Sequence, residues 1–323
     1  MRRRVLDALK RSKSPVSGQA LADELKVSRT AVWKQVQKFR SLGYDIVGSP
    51  KIGYALMSAP DIIVCEELEA LLPAEFKGRV VCADRIGSTN DAAKDLAAAG
   101  SFKPVGLVVA EEQTEGRGRF GRRWVSPGGG IWMSLVVRPQ IPVVAAGRVA
   151  ILAAVAVAEA IAEVAEVQAW IKWPNDVMVD GKKVCGILTE MAAEFALVEY
   201  LVIGIGVNAN IRASKLAQGP GVATTLMAAS GGPVDRTALI SALVTRIVAA
   251  LPALEDGFGA VRERWKELSE TLGRQVKLDA GGSIIEGRAA DIDADGALIV
   301  ETTAGERRVF RAGEVTMGND DKS

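Results

Sequence analysis

Hydrophobic and polar positions follow three patterns along the chain, and each pattern predicts a different region. Near the amino end, apolar residues recur at helical spacing, as in Val32, Val36 and Phe39. Apolar strand-like runs then alternate with helical stretches through the middle of the chain. Short alternating runs between glycine-containing turns follow, a pattern typical of a small β-barrel. We therefore predict an α+β protein with domains at residues 1–60, 61–270 and 271–317 and a polar tail at residues 318–323.

The amino-terminal pattern is typical of a winged helix-turn-helix. Ser17 stands where it can cap a second helix, and a short turn ending at Ser28 leads into a third. Two short strands follow Gly43, and the turn between them would form the wing. The predicted elements are helices at Arg3–Arg11, after Ser17 and at Arg29–Leu42, strands at Tyr44–Val47 and Tyr54–Met57, and a wing at Gly48–Gly53.

The same region is strongly basic. Residues 1–60 hold twelve Lys and Arg against four acids, a net charge of +8, so the other 263 residues carry −7 of the total of +1. This asymmetry favours a polyanionic partner and predicts that the third helix enters a DNA major groove. The alternative is a small helical domain with a solvated basic face. The candidate DNA contacts are Ser28, Arg29, Thr30, Lys34, Gln35 and Lys38.

The central region predicts a mixed sheet rather than a doubly wound one. The run Asp176–Val179 returns across an Asp-Gly turn into Val184–Thr189, which indicates an antiparallel hairpin. Helices are predicted after Asn90 and at Val144–Val164, Arg236–Ala253 and Val261–Leu268, and further strands at Val80–Ala83, Gly106–Glu111, Gly130–Val137, Ala169–Trp173, Val184–Met191 and Tyr200–Val207. The barrel strands are predicted at Gln275–Leu278, Ile284–Ile292, Leu298–Thr302 and Glu306–Phe310.

Composition narrows the chemistry. The chain has no histidine, which excludes Ser-His-Asp and Cys-His nucleophile systems and histidine-based metal sites. Its three cysteines are widely spaced, which predicts no disulfide framework and fits a reducing cytoplasm. No long apolar run follows the basic start, so we expect no signal peptide. The most apolar stretch, Val149–Ala158, is too short to span a bilayer and predicts a buried helix.

The segment GRGRFGRRW, Gly116–Trp124, holds four arginines among three glycines. Glycine lets backbone approach a ligand closely, and arginine presents a fixed fork of donors to phosphate and carboxylate oxygens. The segment is not a Walker A loop, and it does not follow a dinucleotide-binding fingerprint. It predicts a loop that collects two anions. A basic surface loop or a nucleic-acid arm is the alternative.

Other segments strengthen the first interpretation. Ser88-Thr89-Asn90 separates a strand from a helix, where polar groups could bind a compact ligand or simply cap the helix. The run IKWPND ends at Asp176, and Lys183 enters a buried strand, where a lysine is more often solvated than catalytic. The run GIGVNAN places Asn208 after close-approach glycines, within reach of a ribose or phosphate.

Taken together, five segments of the chain resemble the biotin–protein ligases: STN, EEQTEGRGRFGRRW, KWPNDV, GKKVCGIL and GIGVNAN. With the helix-turn-helix, the chain resembles the bifunctional form, a biotin ligase that is also a biotin operon repressor. The resemblance covers nearly the whole chain. It implies a winged helix-turn-helix, a central class II synthetase-like mixed-sheet catalytic domain and a carboxy-terminal SH3-like β-barrel.

The resemblance also implies a two-step reaction. Biotin and ATP with Mg²⁺ would give biotinyl-5′-AMP, which would remain bound as intermediate and corepressor. The biotinyl group would then pass to one lysine of a biotin carboxyl carrier protein. Both nucleophiles come from substrates, which fits the missing histidine. The resemblance further implies that the protein binds operator DNA, forms a homodimer and is cytoplasmic, with no association with a membrane.

The resemblance assigns roles to individual residues. It implies that Arg119, Lys183, Lys172 and Asp176 are catalytic, with Mg²⁺ possible near Asp176 and its other ligands unknown. It implies a biotin site made of Ser88, Thr89, Asn90, Gln113, Arg117, Gly118, Arg119 and Lys183. It implies a nucleotide site made of Arg119, Arg122, Trp124, Asn175 and Asn208.

Two positions depart from the family. Phe120 stands where some relatives carry a basic residue, so we expect it to be dispensable. Ala223 stands where some bifunctional members carry a tryptophan, which leaves open how strongly the adenylate orders that loop. A lipoate–protein ligase is one alternative, although its RRxxGG-type loop and nearby histidine are missing. A regulator that binds a nucleotide-like ligand without catalysis is another, and the retained Arg119, Lys183, Lys172 and Asp176 speak against it.

Overall fold

The computed structural model describes residues 2–12, 14–49, 52–216 and 223–317, and the chain divides between two units. The first unit covers Met1–Ile62 and the second Ile63–Ser323. The first has a hydrophobic core of its own, and the second has two clusters of buried apolar side chains. The predicted division of the second unit near residue 270 stays a prediction.

The first unit has the predicted order of three helices and a hairpin. Ser17 and Ser28 cap the second and third helices, because each hydroxyl accepts a hydrogen bond from the backbone amide three residues later. Val32, Val36 and Phe39 are buried, as the spacing predicted. The predicted wing includes Pro50 and Lys51, which lie outside the described residues. The elements are α1 (Arg2–Arg11), α2 (Gly18–Leu25), α3 (Arg29–Ser41), β1 (Asp45–Ser49) and β2 (Gly53–Ser58), the two strands being antiparallel.

A seven-stranded mixed sheet organises the second unit. Its order is β3-β4-β5-β9-β8-β7-β6. Only the β3–β4 pair is parallel, so the expected mixed sheet is confirmed. The strands are β3 (Val80–Ile86), β4 (Gly106–Gln113), β5 (Ile131–Val137), β6 (Trp170–Lys172), β7 (Asp176–Val179), β8 (Lys182–Glu194) and β9 (Leu197–Val207).

Helices cover the sheet on both faces. Successive strand residues point to opposite faces. Leu135 packs in the main core, whereas Val136 packs in a smaller cluster with Ala93 and Ala97 of α5. The long helix α6 packs on the main-core face against α8 and α9. The helices are α4 (Cys65–Glu69), α5 (Thr89–Ala98), α6 (Gly147–Ala165), α7 (Leu226–Ser230), α8 (Arg236–Ala250) and α9 (Phe258–Glu267).

Two helical stretches, Val143–Ala165 and Arg236–Leu254, are long and apolar enough to cross a membrane by length and composition alone. They contain α6 and α8, which pack against each other in the core. Twelve of the nineteen residues of α6 are buried. The buried helix predicted around Val149–Ala158 is therefore confirmed.

The carboxy-terminal strands form a five-stranded antiparallel sheet in the order β13-β12-β11-β10-β14. The last strand was not predicted from the sequence, and it pairs with β10 at one edge. The tail from Gly318 lies outside the described residues. The strands are β10 (Gln275–Asp279), β11 (Ile284–Ile292), β12 (Leu298–Thr302), β13 (Arg307–Phe310) and β14 (Glu314–Met317).

The expectation of no disulfide was wrong. Cys65 and Cys82 form a disulfide, with their Cα atoms 5.7 Å apart. The first cysteine begins α4 and the second lies in β3, and these two elements pack together although seventeen positions separate the cysteines. Sequence spacing carried no sign of this packing. The cysteine pattern therefore no longer supports a reducing compartment. The remaining cysteine, Cys185, is free and buried.

Candidate active site and nucleic-acid interface

A cavity of about 530 Å³ opens on the α5 face of the large sheet. Its walls come from the start of α5, the end of β4, the segment after β4, the strands β6 to β9, and β14. Every residue that the sequence predicted for the biotin, nucleotide and catalytic roles lines this one cavity. The structure therefore brings the predicted set together, and also adds β14, which the sequence did not place there.

One side of the cavity begins with neutral hydrogen bonds around Gln113. The Gln113 Oε1 atom accepts from the Thr89 amide at 2.8 Å and from the Thr89 hydroxyl at 3.0 Å. Gln113 Nε2 donates to Ser126 Oγ at 2.9 Å. The Ser88 side chain caps nothing, so the simple capping alternative for this segment does not account for it. Gln113 therefore ties the start of α5 to the segment after β4.

The same bonding continues into the sheet. The buried Ser134 Oγ lies 2.6 Å from Asn90 Oδ1 and 2.7 Å from Thr89 Oγ1. Asn90 Nδ2 donates to Glu190 Oε2 at 2.7 Å. A Cβ atom at Gly204 would collide with Asn90 Oδ1, so only glycine fits there. We call Thr89, Asn90 and Gln113, which line the cavity, the polar floor; the buried Ser126 and Ser134 hydrogen-bond to it.

Ser134 and Glu190 are contacts that sequence reasoning missed. Each was visible as a polar residue inside an apolar strand, IWMSLVV for Ser134 and CGILTEM for Glu190. A buried polar side chain costs free energy unless it is hydrogen-bonded, so such a residue marks a local network. The pattern indicates where a network lies, but it does not identify the partners.

The segment Gly116–Trp124 folds as a hairpin, which we call the arginine hairpin. The Trp124 amide donates to the Gly116 carbonyl at 2.8 Å, and the Gly118 amide donates to the Arg122 carbonyl at 2.7 Å. The Arg122 amide donates to the Arg119 carbonyl at 3.2 Å and closes the tip. A Cβ atom at Gly116 would lie 2.5 Å from the Trp124 carbonyl oxygen, so the narrow base requires glycine.

The first arginine of the hairpin is paired within the protein. Arg117 forms a two-pronged contact with Asp91 in the first turn of α5. The Arg117 guanidinium lowers the pKa of Asp91 to about 2. Lys94 bridges Asp91 and Glu190 at 3.0 and 2.7 Å, and Glu190 raises the pKa of Lys94. Arg117 therefore lies in a chain of alternating charges that reaches the polar floor.

Two of the other three arginines of the hairpin, Arg119 and Arg122, contact the carboxy-terminal sheet or the residue before its last strand. Arg122 forms a two-pronged ion pair with Glu314 of β14, and this pair lowers the pKa of Glu314. Arg119 donates to the Gly313 carbonyl at 3.1 Å and to Asn175 Oδ1 at 3.2 Å. Burial lowers the pKa of Arg119. Sequence reasoning missed Glu314 because 192 residues separate it from its partner.

Lys183 is the third cation lining the cavity that has a carboxylate partner. Its Nζ lies 2.6 Å from Asp176 Oδ1 and 5.0 Å from the centre of the Trp124 ring. The Trp124 ring covers Gly186 and Gly206, which face each other on β8 and β9. A Cβ atom at Gly206 would lie 2.7 Å from Trp124 Nε1, so the indole requires this glycine. We call Arg117, Arg119, Arg122 and Lys183 the charged rim.

The remaining predicted residues have mixed outcomes. Lys172 lines the cavity and helps to lower the pKa of Glu314. The buried Asn208 donates its amide to the Thr224 carbonyl at 3.1 Å, so in this structure it holds the chain beyond β9. Ala223, next to Thr224, forms an isolated parallel β-bridge with Lys183. Residues 217–222, which precede it, lie outside the described residues.

Metal ligands are sparse in this cavity. In the described parts of the chain, no group of three or more Cys, Asp or Glu residues could hold a metal ion. Asp176 supplies one carboxylate, surrounded by the cations Lys183, Arg119 and Lys172. This arrangement fits a magnesium ion that arrives with phosphate oxygens, because Mg²⁺ often takes only one or two protein carboxylates.

The predicted DNA-contacting residues lie in the first unit. Ser28 caps α3, whereas Arg29, Thr30, Lys34 and Lys38 are exposed along it. Gln35 is half-buried. Sequence reasoning missed Trp33, whose side chain is 51% exposed beside Lys34. Residues three and four apart share a helix face, so Thr30, Trp33 and Lys34 belong to one exposed surface.

Three family profiles match separate parts of the chain. The profile of the biotin/lipoate A/B protein ligase family matches residues 82–208, a helix-turn-helix profile matches 2–55 and the biotin protein ligase C-terminal domain matches 271–318. The chain is 37% identical to a bifunctional ligase/repressor BirA of Bacillus spizizenii, over 92% of both chains. It is 31% identical to the protein of that name from Escherichia coli, over 95% of this chain and 94% of the relative.

A biotin protein ligase from Aquifex aeolicus, solved with biotin and ATP, superimposes with a TM-score of 0.63 and 28% identity. The match covers 74% of this chain and 98% of that one. With the profile matches and the fold, these likenesses show that the chain belongs to the biotin/lipoate A/B protein ligase family. Within that family its alignments with the two bifunctional ligase/repressors cover 92% and 95% of this chain, which also has a helix-turn-helix match at residues 2–55.

Proposed function

We propose that this protein is a biotin–protein ligase and a biotin-responsive repressor. In the first step, a biotin carboxylate oxygen attacks the α-phosphate of MgATP, which forms biotinyl-5′-AMP and releases pyrophosphate. In the second step, the amine of an acceptor lysine attacks the biotinyl carbonyl and AMP leaves. The protein supplies position and charge, so the absence of histidine is no obstacle.

We assign the biotin ring system to the polar floor. The ureido group of biotin is neutral and both donates and accepts hydrogen bonds. Thr89, Asn90 and Gln113 present neutral donors and acceptors in fixed positions, and Ser88 lies beside them. Fixed polar groups give orientation and specificity at low entropic cost. Arg117 and Gly118 would lie over the biotin tail.

We assign the mixed anhydride and the nucleotide to the charged rim. Arg119 and Lys183 would hold the carboxyl–phosphate junction, where charge develops during the first step. Arg122 would contact phosphate, Trp124 would lie against adenine, and Asn175 and Asn208 would border the nucleotide. Lys172 and Asp176 would complete the site, with Asp176 beside the magnesium of MgATP or the incoming lysine.

One observation carries the proposal: cationic groups and a neutral polar floor meet in one cavity of about 530 Å³. A biotin–nucleotide intermediate needs both surfaces at once. The test is to incubate the purified protein with biotin, MgATP and a biotin carboxyl carrier domain. We expect biotinyl-5′-AMP by mass spectrometry and one labelled lysine. Absence of both products would overturn the ligase assignment, and equal use of lipoate would overturn the assignment of biotin as its substrate.

A second function rests on α3 and the basic charge of residues 1–60. We propose that this unit binds operator DNA. A variant cut in the linker Ser58–Asp61 should lose operator binding and keep much of its ligation, measured by gel shift and by carrier labelling. If the full-length protein ligates biotin but binds DNA without sequence preference, the ligase assignment stands and the repressor assignment is refuted. We place both activities in the cytoplasm, where the carrier and the genome meet.

We also propose a homodimer. Phe195 and Leu197 at the β8–β9 turn are 92% and 55% exposed, and Val144 is 68% exposed. They are neighbours, because the Val143 amide donates to the Ala196 carbonyl at 3.0 Å. An exposed apolar cluster of this kind favours association. Sedimentation should show dimers that Phe195→Asp dissociates, and monomers at all concentrations, with and without adenylate, would refute the dimer.

A further inference from the structure

The tip of the arginine hairpin has an unusual residue for its geometry. Phe120 has φ 56° and ψ 29°, and Gly121 has φ 72°. With the Arg122 amide bonded to the Arg119 carbonyl, these angles define a two-residue type I′ turn. Both central positions of this turn need positive φ, so Asn, Asp or Gly is preferred at the first. A bulky aromatic residue there is strained, and some other interaction must favour it.

Burial does not supply that interaction. The Phe120 side chain is 67% exposed and belongs to no buried apolar cluster. One contact remains on its ring face, where the Arg119 guanidinium carbon lies 4.9 Å from the ring centre. This is the distance of a cation–π interaction, which favours a cation over an aromatic face.

Arg119 differs from the two neighbouring arginines in its partners. Arg117 and Arg122 each hold a carboxylate, Asp91 and Glu314. Within the described ranges, Arg119 has no carboxylate at ion-pair distance, and its edge donates to neutral oxygens of Asn175 and Gly313. Those two bonds fix the edge of the planar group. The guanidinium also lies over the Phe120 ring, so the ring and the two oxygens together restrict the movement of the Arg119 side chain.

We propose that Phe120 is a positioning residue, which holds the Arg119 guanidinium ready for the acyl-phosphate junction of the bound intermediate and so lengthens the lifetime of that intermediate. This inference rests on the proposed ligase function and reverses the expectation that Phe120 is dispensable. It names a role for the hairpin tip that involves no contact with the reacting atoms. Release of the intermediate, rather than its formation, is the step that should respond.

The test compares Phe120→Asn and Phe120→Tyr with the wild type as full chains. Asn suits the type I′ turn, so it should leave the thermal midpoint unchanged or raise it. It should speed biotinyl-adenylate dissociation, followed by a chase with unlabelled biotin and MgATP, by about 3- to 10-fold. Tyr keeps the aromatic face and should behave like the wild type. Ile284→Thr removes a side chain of similar exposure, 68%, and should change nothing.

A double-mutant cycle separates positioning from a general effect on the hairpin. In an Arg119→Ala background, Phe120→Asn should no longer change the dissociation rate. If Phe120→Asn releases adenylate at the wild-type rate, or acts equally in both backgrounds, Phe120 does not act through Arg119. A loss of carrier labelling with unchanged adenylate release would instead make the ring a docking contact, which also overturns the proposal.

A readout without catalysis keeps this inference distinct from the ligase assignment. The Arg119 Nε–H signal, assigned by its loss in Arg119→Lys, should be shifted by the ring in the wild type and return to an ordinary position in Phe120→Asn. A wild type that shows this shift but forms no adenylate would refute the ligase and retain the positioning contact. An unshifted signal in the wild type would refute the positioning role.

Discussion

The polar floor and the charged rim line the same cavity, but most floor groups bond to neutral partners, whereas most rim groups bond to carboxylates. Thr89 and Gln113 bond to each other and to neutral groups, so a ligand that arrives there displaces no internal charge. Three of the four rim cations already hold a carboxylate, as Lys183 holds Asp176. A phosphate entering the rim must therefore replace an internal carboxylate. Only the difference in free energy between the new and the old ion pair contributes to its affinity.

The largest effect should come from the rim. Lys183→Met should slow adenylate formation by about 100- to 1000-fold, because a cation aimed at developing charge is lost. The thermal midpoint should also fall, because the Asp176 Oδ1 that pairs with Lys183 is buried and would lose this partner. Single-turnover pyrophosphate release measures the step. Lys182→Met, at the exposed neighbouring position, is the matched control. A loss below about tenfold would mean that the rim is not where charge develops.

The next effect should come from the floor and should resemble a folding defect. Ser134→Ala leaves Asn90 Oδ1 without its 2.6 Å donor, and an unsatisfied buried group costs about 1–3 kcal/mol. We expect that loss in the free energy of unfolding and about a tenfold weaker biotin affinity by calorimetry. Ser241→Ala removes a bond to the Leu71 carbonyl away from the cavity. It should lower stability alone. If both variants lost biotin affinity equally, the loss would reflect lower stability and not a specific role of the polar floor.

A smaller effect should follow from Glu314→Gln. The pair with Arg122 is 47% and 63% exposed, so its contribution to stability is under about 1 kcal/mol. Removing the internal carboxylate should lower the KM for MgATP about two- to fivefold at low salt, with the difference fading as salt rises. Glu286→Gln breaks a similarly exposed pair with Lys277 and should leave the KM unchanged. A raised KM would show that Glu314 helps rather than competes.

The smallest effect concerns acid stability. The pKa of Asp91 is lowered from 3.8 to about 2 by Arg117, so the folded state binds this proton less readily than the unfolded chain. The contribution is therefore fully present above about pH 4 and is lost as pH falls towards 2. Unfolding curves of wild type and Asp91→Asn should differ by a constant amount from pH 5 to 8 and converge below pH 4. Curves that stay parallel down to pH 2 would contradict the assigned pair.

Local pattern predicted most of the fold, and the resemblance named residues that prove to line one cavity. Helical spacing fixed α3, and the motif segments placed Asn90, Lys183 and Trp124 around one cavity. The features that the sequence did not predict depend on contacts between residues far apart in the chain. The Cys65–Cys82 disulfide and β14 depend on which distant elements pack together, and spacing in sequence does not encode that.

The role of Phe120 could not be anticipated for a different reason. Its expected dispensability came from comparing residue types at one position. Its interest comes from a positive φ and a ring beneath Arg119, and both are properties of the folded turn. Ser134 shows an intermediate case, because its polar character in an apolar strand was visible but its partners were not.

The contact between the arginine hairpin and β14 has a consequence for the order of events during translation. Gly313 and Glu314 leave the ribosome 194 and 192 residues after Arg119 and Arg122, so the hairpin is made long before these partners are available. Domains generally fold as the chain emerges. A nascent chain halted before β14 would therefore have a hairpin whose Arg119 and Arg122 still lack these two partners.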